Sequence, residues 1–328
     1  MSESSQPPFR IGTRRSILAV IQAEGIRDSL QKLAHERTFE IKTLSVLGDR
    51  DKSTALNQLG SKDLWTAELE EQLTSGELDV VVHCLKDMPT SIPDSCEIAA
   101  IPLRDDPRDA LIVKKDLPYT GLETLPEGAV VGTSSVRRSA QLRRLYPHLR
   151  FANLRGNVDT RLAKVDNPES EYTCMIMSAA GLERVGLKSR INQYLGSKDG
   201  GIYHAVGQGA LGLEIRKGDK ETLDFVNRLG DQKSTLACLA ERALMRTLEG
   251  GCSVPIGVET EWQQDHVLSM RGVVVSLDGS QSAHSSIDAT IKTEDEAVVL
   301  GKELASKLVE AGAEAILKEI NADRPSKE

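Results

Sequence analysis

Cys252 is the residue best suited to covalent chemistry in this chain. It follows Gly250 and Gly251, which end a stretch with apolar groups at Leu236, Leu239, Ala240, Ala243, Leu244 and Leu248. That spacing is a helix with one buried face, and glycine stops such a helix. A thiol on a glycine-flanked loop can be reached by another molecule, whereas Cys174, inside an apolar run, reads as core. The bare chemistry also allows Cys252 to be an inert structural thiol. A second candidate lies in His83–Pro89, HCLKDMP, which closes an apolar stretch with Lys86 and Asp87 side by side. A carboxylate beside a cation stays ionised near neutrality, so Asp87 can stabilise a developing cation or shuttle a proton. The same aspartate can instead cap a turn before Pro89.

The third kind of chemistry is anion binding. Gly132–Arg138, GTSSVRR, reads as a strand end opening a helix. Unpaired backbone N–H groups point outward there, Ser134 and Ser135 add hydroxyls, and Arg137 and Arg138 add forks that match carboxylates. The alternative is a capping serine with two solvated arginines. Arg155 and Arg161 flank the next such turn, Arg14 and Ser16 stand at the first, and Arg184 follows Gly181 at a later one. Residues 132–161 hold seven arginines, no lysine and one aspartate, a formal charge of +6 in a protein of net charge −8. A local cationic field of this kind suits a compact anion.

These residues need a scaffold that gathers strand ends. RIGT, FEIKTLSVLG and LDVVVHCL read as strands separated by helical stretches, and AVVGT, RFANL and YTCMIMSA begin a second series. Strands alternating with helices predict parallel sheets covered on both faces, with ligands at their carboxyl edges. HAVGQGALGLEIRKG, 204–218, is a further strand able to return to the first sheet, and the prolines and charges of 101–110 mark a first crossing between domains. Two crossings make a hinge and a cleft between two lobes. Beyond residue 226 the pattern changes to alternating strands and one amphipathic helix over 294–320, a small α+β domain.

Composition narrows the classes. Apolar content of 39% and charged content of 27% fit a soluble globular protein. No apolar run approaches the ~18 residues of a membrane span, and the first residues lack a secretory pattern, so both ends read as short tails. Five cysteines without a CxxC pair indicate neither a disulfide framework nor a metal site, and a reducing cytoplasmic setting follows. Aromatic residues make up 3% and none interleaves the arginines, which argues against nucleic acid. Neither a Walker lysine motif nor HExxH occurs.

Taken together, HCLKDMP, DDPRDA, GTSSVRRSAQL, LRGNVDTRL, AAGLERVGL, AVGQGALGLE, AERALMRTLEGGCSVPIG and RIGTRRSILAVIQ resemble the signature blocks of the hydroxymethylbilane synthase (porphobilinogen deaminase) family, in family order from residue 10 to residue 257. The resemblance implies a transferase that joins four porphobilinogen molecules head to tail into hydroxymethylbilane, with release of ammonia, in haem and tetrapyrrole synthesis. It implies a dipyrromethane cofactor held by a thioether at Cys252, with Asp87 as the catalytic carboxylate. It matches Lys86, Ser134, Ser135, Arg137, Arg138 and Arg161 to cofactor-binding positions. Arg14, Ser16, Arg155 and Arg184 match positions that hold substrate or growing-chain carboxylates. The expected architecture is α/β, with two doubly wound, periplasmic-binding-protein-like lobes and a small C-terminal α+β domain. The boundaries are 1–105 with 204–225, 106–203, and 226–328. The expected state is a cytoplasmic monomer with porphobilinogen as its partner, and without metal, nucleic acid or membrane. One block departs from the pattern: Gly60-Ser61-Lys62 precedes Trp65 where many members have Gly-Gly-Lys, in a segment expected to form a lid. The competing class is a two-lobed module that closes on a small carboxylate without chemistry.

Overall fold

The computed structural model describes residues 7–47, 65–248, 254–264 and 266–322. It divides into two compact units. Of the described residues, unit 1 gathers 7–47, 65–104 and 210–235, and unit 2 gathers 105–209 and 236–322. Unit 1 opens with β1 (Phe9–Arg14), α1 (Ile17–Leu33), β2 (Phe39–Leu44), α2 (Ala67–Thr74), β3 (Val80–Cys84) and β4 (Cys96–Ala100). After Arg104 the chain enters unit 2. It runs there through β5 (Asp109–Val113), β6 (Val130–Gly132), α3 (Val136–Leu145), β7 (Arg150–Ala152), α4 (Val158–Asp166), β8 (Cys174–Ser178), α5 (Ala179–Arg184) and β9 (Gln193–Leu195). It returns to unit 1 for β10 (Leu211–Arg216) and α6 (Lys220–Val226), and α7 (Gln232–Thr247) leads out again. The C-terminal domain follows with β11 (Ile256–Trp262), β12 (Val267–Val275), β13 (Ser282–Thr290), α8 (Glu294–Glu310) and α9 (Ala313–Ala322).

The sheet of unit 1 has the order β2-β1-β3-β10-β4, and that of unit 2 the order β7-β6-β8-β5-β9. The strands linked through helices are parallel, as predicted: β1 with β2 and β3, β6 with β7 and β8. The sheets are nevertheless mixed. β10 runs antiparallel to β3 and β4, and β5 antiparallel to β8 and β9. Both inverted strands are the ones entered directly from the other unit. A parallel neighbour needs a crossover that carries the chain back to the far end of the sheet. These strands arrive without one and start at the carboxyl edge, Leu211 opposite Cys84 and Asp109 opposite Ser178.

Each sheet is a rigid platform because both faces are buried. In unit 1, Ile11, Val80, Val82, Leu213 and Ile215 pack with Ala23, Ile26 and Leu30 of α1, while Val81 and Leu78 pack with Leu69 and Leu73 of α2. In unit 2, β5 alternates Leu111 and Val113 on one face with Ala110 and Ile112 on the other. Each of the Val, Leu and Ile side chains among these contributes about 1.5–3 kcal/mol by leaving water. The crossing segments are also tightly set. Gly209 has φ +85°, and a Cβ there would lie 2.6 Å from the carbonyl oxygen of Asp105, so only glycine fits.

In the C-terminal domain β11, β12 and β13 form an antiparallel sheet whose core is closed by Leu236, Ala240 and Leu244 of α7 and Leu300, Leu304 and Leu308 of α8. The single helix read over 294–320 is two helices. Gly312, at φ +101°, turns the chain out of register and donates its N–H to Val309 O at 2.9 Å. The apolar face of α7 is buried through Leu248. Cys252 and the Gly60-Ser61-Lys62 segment lie outside the described residues.

Candidate active site

In unit 1, β1 and β3 are parallel neighbours, so their ends deliver Arg14 and the Lys86–Asp87 pair to one edge. Ser16 caps α1, its Oγ accepting from Ala19 N at 3.4 Å. Leu85–Asp87 forms a 3-10 turn closed by Met88 N donating to Leu85 O at 3.2 Å. The Asp87 carboxylate is therefore not what holds the turn, and among the described residues it accepts no backbone N–H. Its Oδ2 lies 3.5 Å from Arg14 Nη1, with about a third of the side chain exposed. A pair that long and that wet stabilises the fold by about 1 kcal/mol or less, so Asp87 stays open to other partners. The Arg14 guanidinium also lies over the Trp65 ring, 4.0 Å from its centroid. One residue before Cys84, His83 Nε2 and Glu214 Oε2 meet at 2.9 Å in full burial and lock β10 onto β3 where the turn begins.

In unit 2, Ser135 caps α3, its Oγ accepting from Arg138 N at 3.4 Å. The caps use lone pairs, so the O–H groups of Ser16 and Ser135 remain donors. The first-turn N–H groups of α3 have no intrahelical acceptor. Ser134 Oγ donates to Leu154 O at 2.8 Å and approaches Asn153 Oδ1 at 2.5 Å, which straps the turn after β6 to the turn after β7. Arg161 Nε donates to Gly156 O at 2.6 Å, and Arg155, half-buried, stands in the same turn. Arg184 ties down both crossing segments, donating to Asp105 Oδ2 at 2.8 Å and to Gly209 O at 2.7 Å.

Asp109 was not singled out by sequence reasoning, yet it organises this edge. Fully buried at the start of β5, it accepts from Arg137 Nη1 at 2.8 Å, from Arg138 Nε at 3.0 Å and Nη2 at 2.7 Å, and from Gln208 Nε2 at 2.9 Å. Arg138 Nη1 donates to Ile176 O at 3.1 Å, so all three nitrogens of Arg138 are used inside the protein. Arg137 bonds Asp109 and Tyr203 O through Nη1 alone; among the described residues its Nε and Nη2 make no hydrogen bond. Burial alone would raise the Asp109 pKa, but the two guanidiniums outweigh it and hold the carboxyl well below the usual range. The stability this contributes is fully present above the unfolded carboxylate value near 4 and is lost as pH falls toward the folded one. Arg143 and Arg144, in turn, donate to carbonyls of Leu277, Gly279 and Ser280. Much of the expected cationic field is thus spent on structure. Arg138→Ala should accordingly lower unfolding free energy by about 3 kcal/mol, because it strips a buried carboxylate of two of its four donors. A urea midpoint unchanged from wild type would contradict that burial argument.

The described cysteines do not compete for chemistry on equal terms. Burial pushes Cys174 up to about 12. Burial, with Glu214 nearby, pushes Cys96 up to about 11. Cys238 is buried, and half-buried Cys84 bonds Gln22 at 3.1 Å. Among the described helices none is long and apolar enough to cross a membrane.

Comparison with known proteins adds independent findings. A family model described as "Porphobilinogen deaminase, dipyromethane cofactor binding domain" matches residues 9–224, and one described as "Porphobilinogen deaminase, C-terminal domain" matches 235–310. A porphobilinogen deaminase of Neurospora crassa is 48% identical, covering 99% of this chain and 97% of its own length. One of Saccharomyces cerevisiae is 46% identical over 96% and 98%, and one of Prochlorococcus marinus 46% over 95% and 96%. Among solved structures, a YaeC-family lipoprotein of Enterococcus faecalis aligns over 75% of this chain and 98% of its own, at 14% identity and TM-score 0.41.

Proposed function

The chain belongs to the porphobilinogen deaminase family, and from that premise we propose a role for each residue at the two carboxyl edges. The protein is a transferase of haem and tetrapyrrole biosynthesis that joins four porphobilinogen molecules head to tail into hydroxymethylbilane with release of ammonia. Its cofactor is dipyrromethane, which when bound supplies the pyrrole end from which the product chain is extended. The donor chemistry suits such a group. Every pyrrole unit brings an acetate and a propionate, and the described edges offer serine O–H groups, helix N–H groups and arginine forks.

Cys252 is the proposed point of thioether attachment. Lys86, Ser134, Ser135, Arg137, Arg138 and Arg161 are assigned to cofactor carboxylates. Within that set Arg137 and the Ser135 hydroxyl present donors directly. Ser134 and Arg138 act chiefly by fixing the turns that carry them. Arg14, Ser16, Arg155 and Arg184 are assigned to substrate and growing-chain carboxylates. Asp87 is the catalytic carboxylate. When the C–N bond of porphobilinogen breaks and ammonia leaves, positive charge develops on the substrate, and a nearby anion lowers that barrier. The same carboxylate can accept the ring proton released after C–C bond formation. The observation that carries this reading is the Asp87 carboxylate itself, presented at the edge of a rigid sheet with one long contact to Arg14.

The proposal extends to a cytoplasmic monomer that uses neither nucleic acid nor metal, and to three domains: 1–105 with 204–225, 106–203, and 226–328. The test is the intact mass of the denatured protein together with ammonia release from porphobilinogen. The expected mass exceeds that of the sequence by two pyrrole units. A chain at its sequence mass that binds carboxylates and releases no ammonia would instead be the anion-binding module.

A further inference from the structure

Trp65 stands immediately before α2 and packs against the apolar cluster of Val46, Leu69, Leu73, Leu78 and Val81. Thr66 and Leu69, which follow it, are fully buried, so the backbone beneath the ring is anchored. The indole ring also receives the Arg14 guanidinium, 4.0 Å from its centroid. An arginine at a strand end has many rotamers, and its fork reads a carboxylate bidentately only when its plane is held. Asp87 cannot hold that plane alone, because its contact to Arg14 is long and partly in water. An indole face is the strongest aromatic partner for a guanidinium.

We propose that Trp65 is a positioning residue for the reaction: it fixes the plane of Arg14 so that the fork meets a porphobilinogen carboxylate beside Asp87. This rests on the reading of Arg14 as a substrate-carboxylate group. Trp65 then acts through Arg14 alone, on substrate capture rather than on the resting enzyme.

The experiment measures KM and kcat for porphobilinogen in Trp65→Phe, Trp65→Leu, Arg14→Ala and the double variant Trp65→Leu/Arg14→Ala. Denatured mass reports the cofactor load of each. Leucine keeps apolar packing but removes the ring face. The KM of Trp65→Leu should rise about five- to thirtyfold and that of Trp65→Phe about two- to threefold, the range of a partly desolvated cation–π contact. Cofactor load should stay complete, and kcat should stay within about twofold, as expected when an interaction present in both ground and transition states is lost. In the Arg14→Ala background, Trp65→Leu should change KM by less than about twofold, because the partner it acts through is gone. Equal KM losses in both backgrounds, or equal losses for phenylalanine and leucine, overturn the inference while leaving Arg14 in place. A wild-type KM in Arg14→Ala alone overturns the reading of Arg14 itself, and the inference falls with it. If Trp65→Leu does not fold, the same cycle run with Trp65→Phe decides the matter by its smaller ratio.

Discussion

Cys252→Ala should emerge from expression at its bare sequence mass and release no ammonia from porphobilinogen. A thioether needs a sulfur that can reach the ligand and ionise. Burial denies both to most alternatives in the described chain. A thiol held near 12, as Cys174 is, has about one thiolate in 10⁵ at neutral pH. Cys96, raised to about 11, gains only about a factor of ten over that. Cys238 is buried inside α7. Cys84 is the one described thiol near a carboxyl edge, and it is engaged with Gln22. Cys252, by contrast, follows two glycines directly after the buried face of α7 ends at Leu248. Without the attached pyrroles there is nothing to extend, so the loss of turnover should be complete rather than graded. Denatured intact mass and a peptide map check this. A variant that retains both the added mass and turnover would sink the assignment, and a map showing pyrrole on Cys84 would move the attachment to unit 1.

Much of this was legible because strand–helix alternation and motif order are local signals. Strands β1, β3, β6 and β7 overlap the stretches RIGT, LDVVVHCL, AVVGT and RFANL, with ends shifted by no more than two residues. Strand direction is not a local signal, and for that reason β10 runs against the predicted parallel order, as does β5, which no predicted strand covers. The hydrophobic pattern of a buried strand is the same in either direction. The fate of the arginines was hidden for a related reason. A sequence displays donors at a turn but not the acceptors that folding brings to them. Asp109 lies 28 residues before Arg137, and the carbonyl met by Arg143 lies 134 residues after it. A signal for Asp109 did exist: a charged residue opening the wholly apolar ALIV run is buried if that run is a central strand, and a buried carboxylate needs cations. The break at Gly312 was visible too, since glycine near the end of an amphipathic pattern is a stop. In the sequence Trp65 is only a marker in a motif. Its contact with Arg14 joins residues 51 positions apart in sequence, a distance at which the pattern carries no signal.

Asp87→Asn should fold with full stability, load its cofactor, and turn over at least about 10²-fold more slowly, the scale on which one charge-stabilising or proton-accepting group acts. Asparagine keeps the shape of the side chain and most of its hydrogen bonding. What it removes is the anion and the capacity to take a proton. Stability should hold because the turn at Leu85–Asp87 is closed by Met88 N and Leu85 O, and because the contact to Arg14 is long and partly exposed. This separates Asp87 from Asp109, whose carboxylate is also paired with arginine but lies fully buried under two guanidiniums. The same chemical change at Asp109 should act mainly on the urea midpoint, and at Asp87 mainly on the rate of ammonia release. KM should shift little at Asp87, since an interaction that strengthens only as the substrate becomes cationic appears in kcat. A near-normal rate in Asp87→Asn would make this carboxylate an ordinary surface group. A fall in rate matched by a fall in stability of several kcal/mol would show that the turn, and not the charge, had been lost. Intact fold, intact load and slow chemistry together are what the loss of a group acting only in the transition state produces.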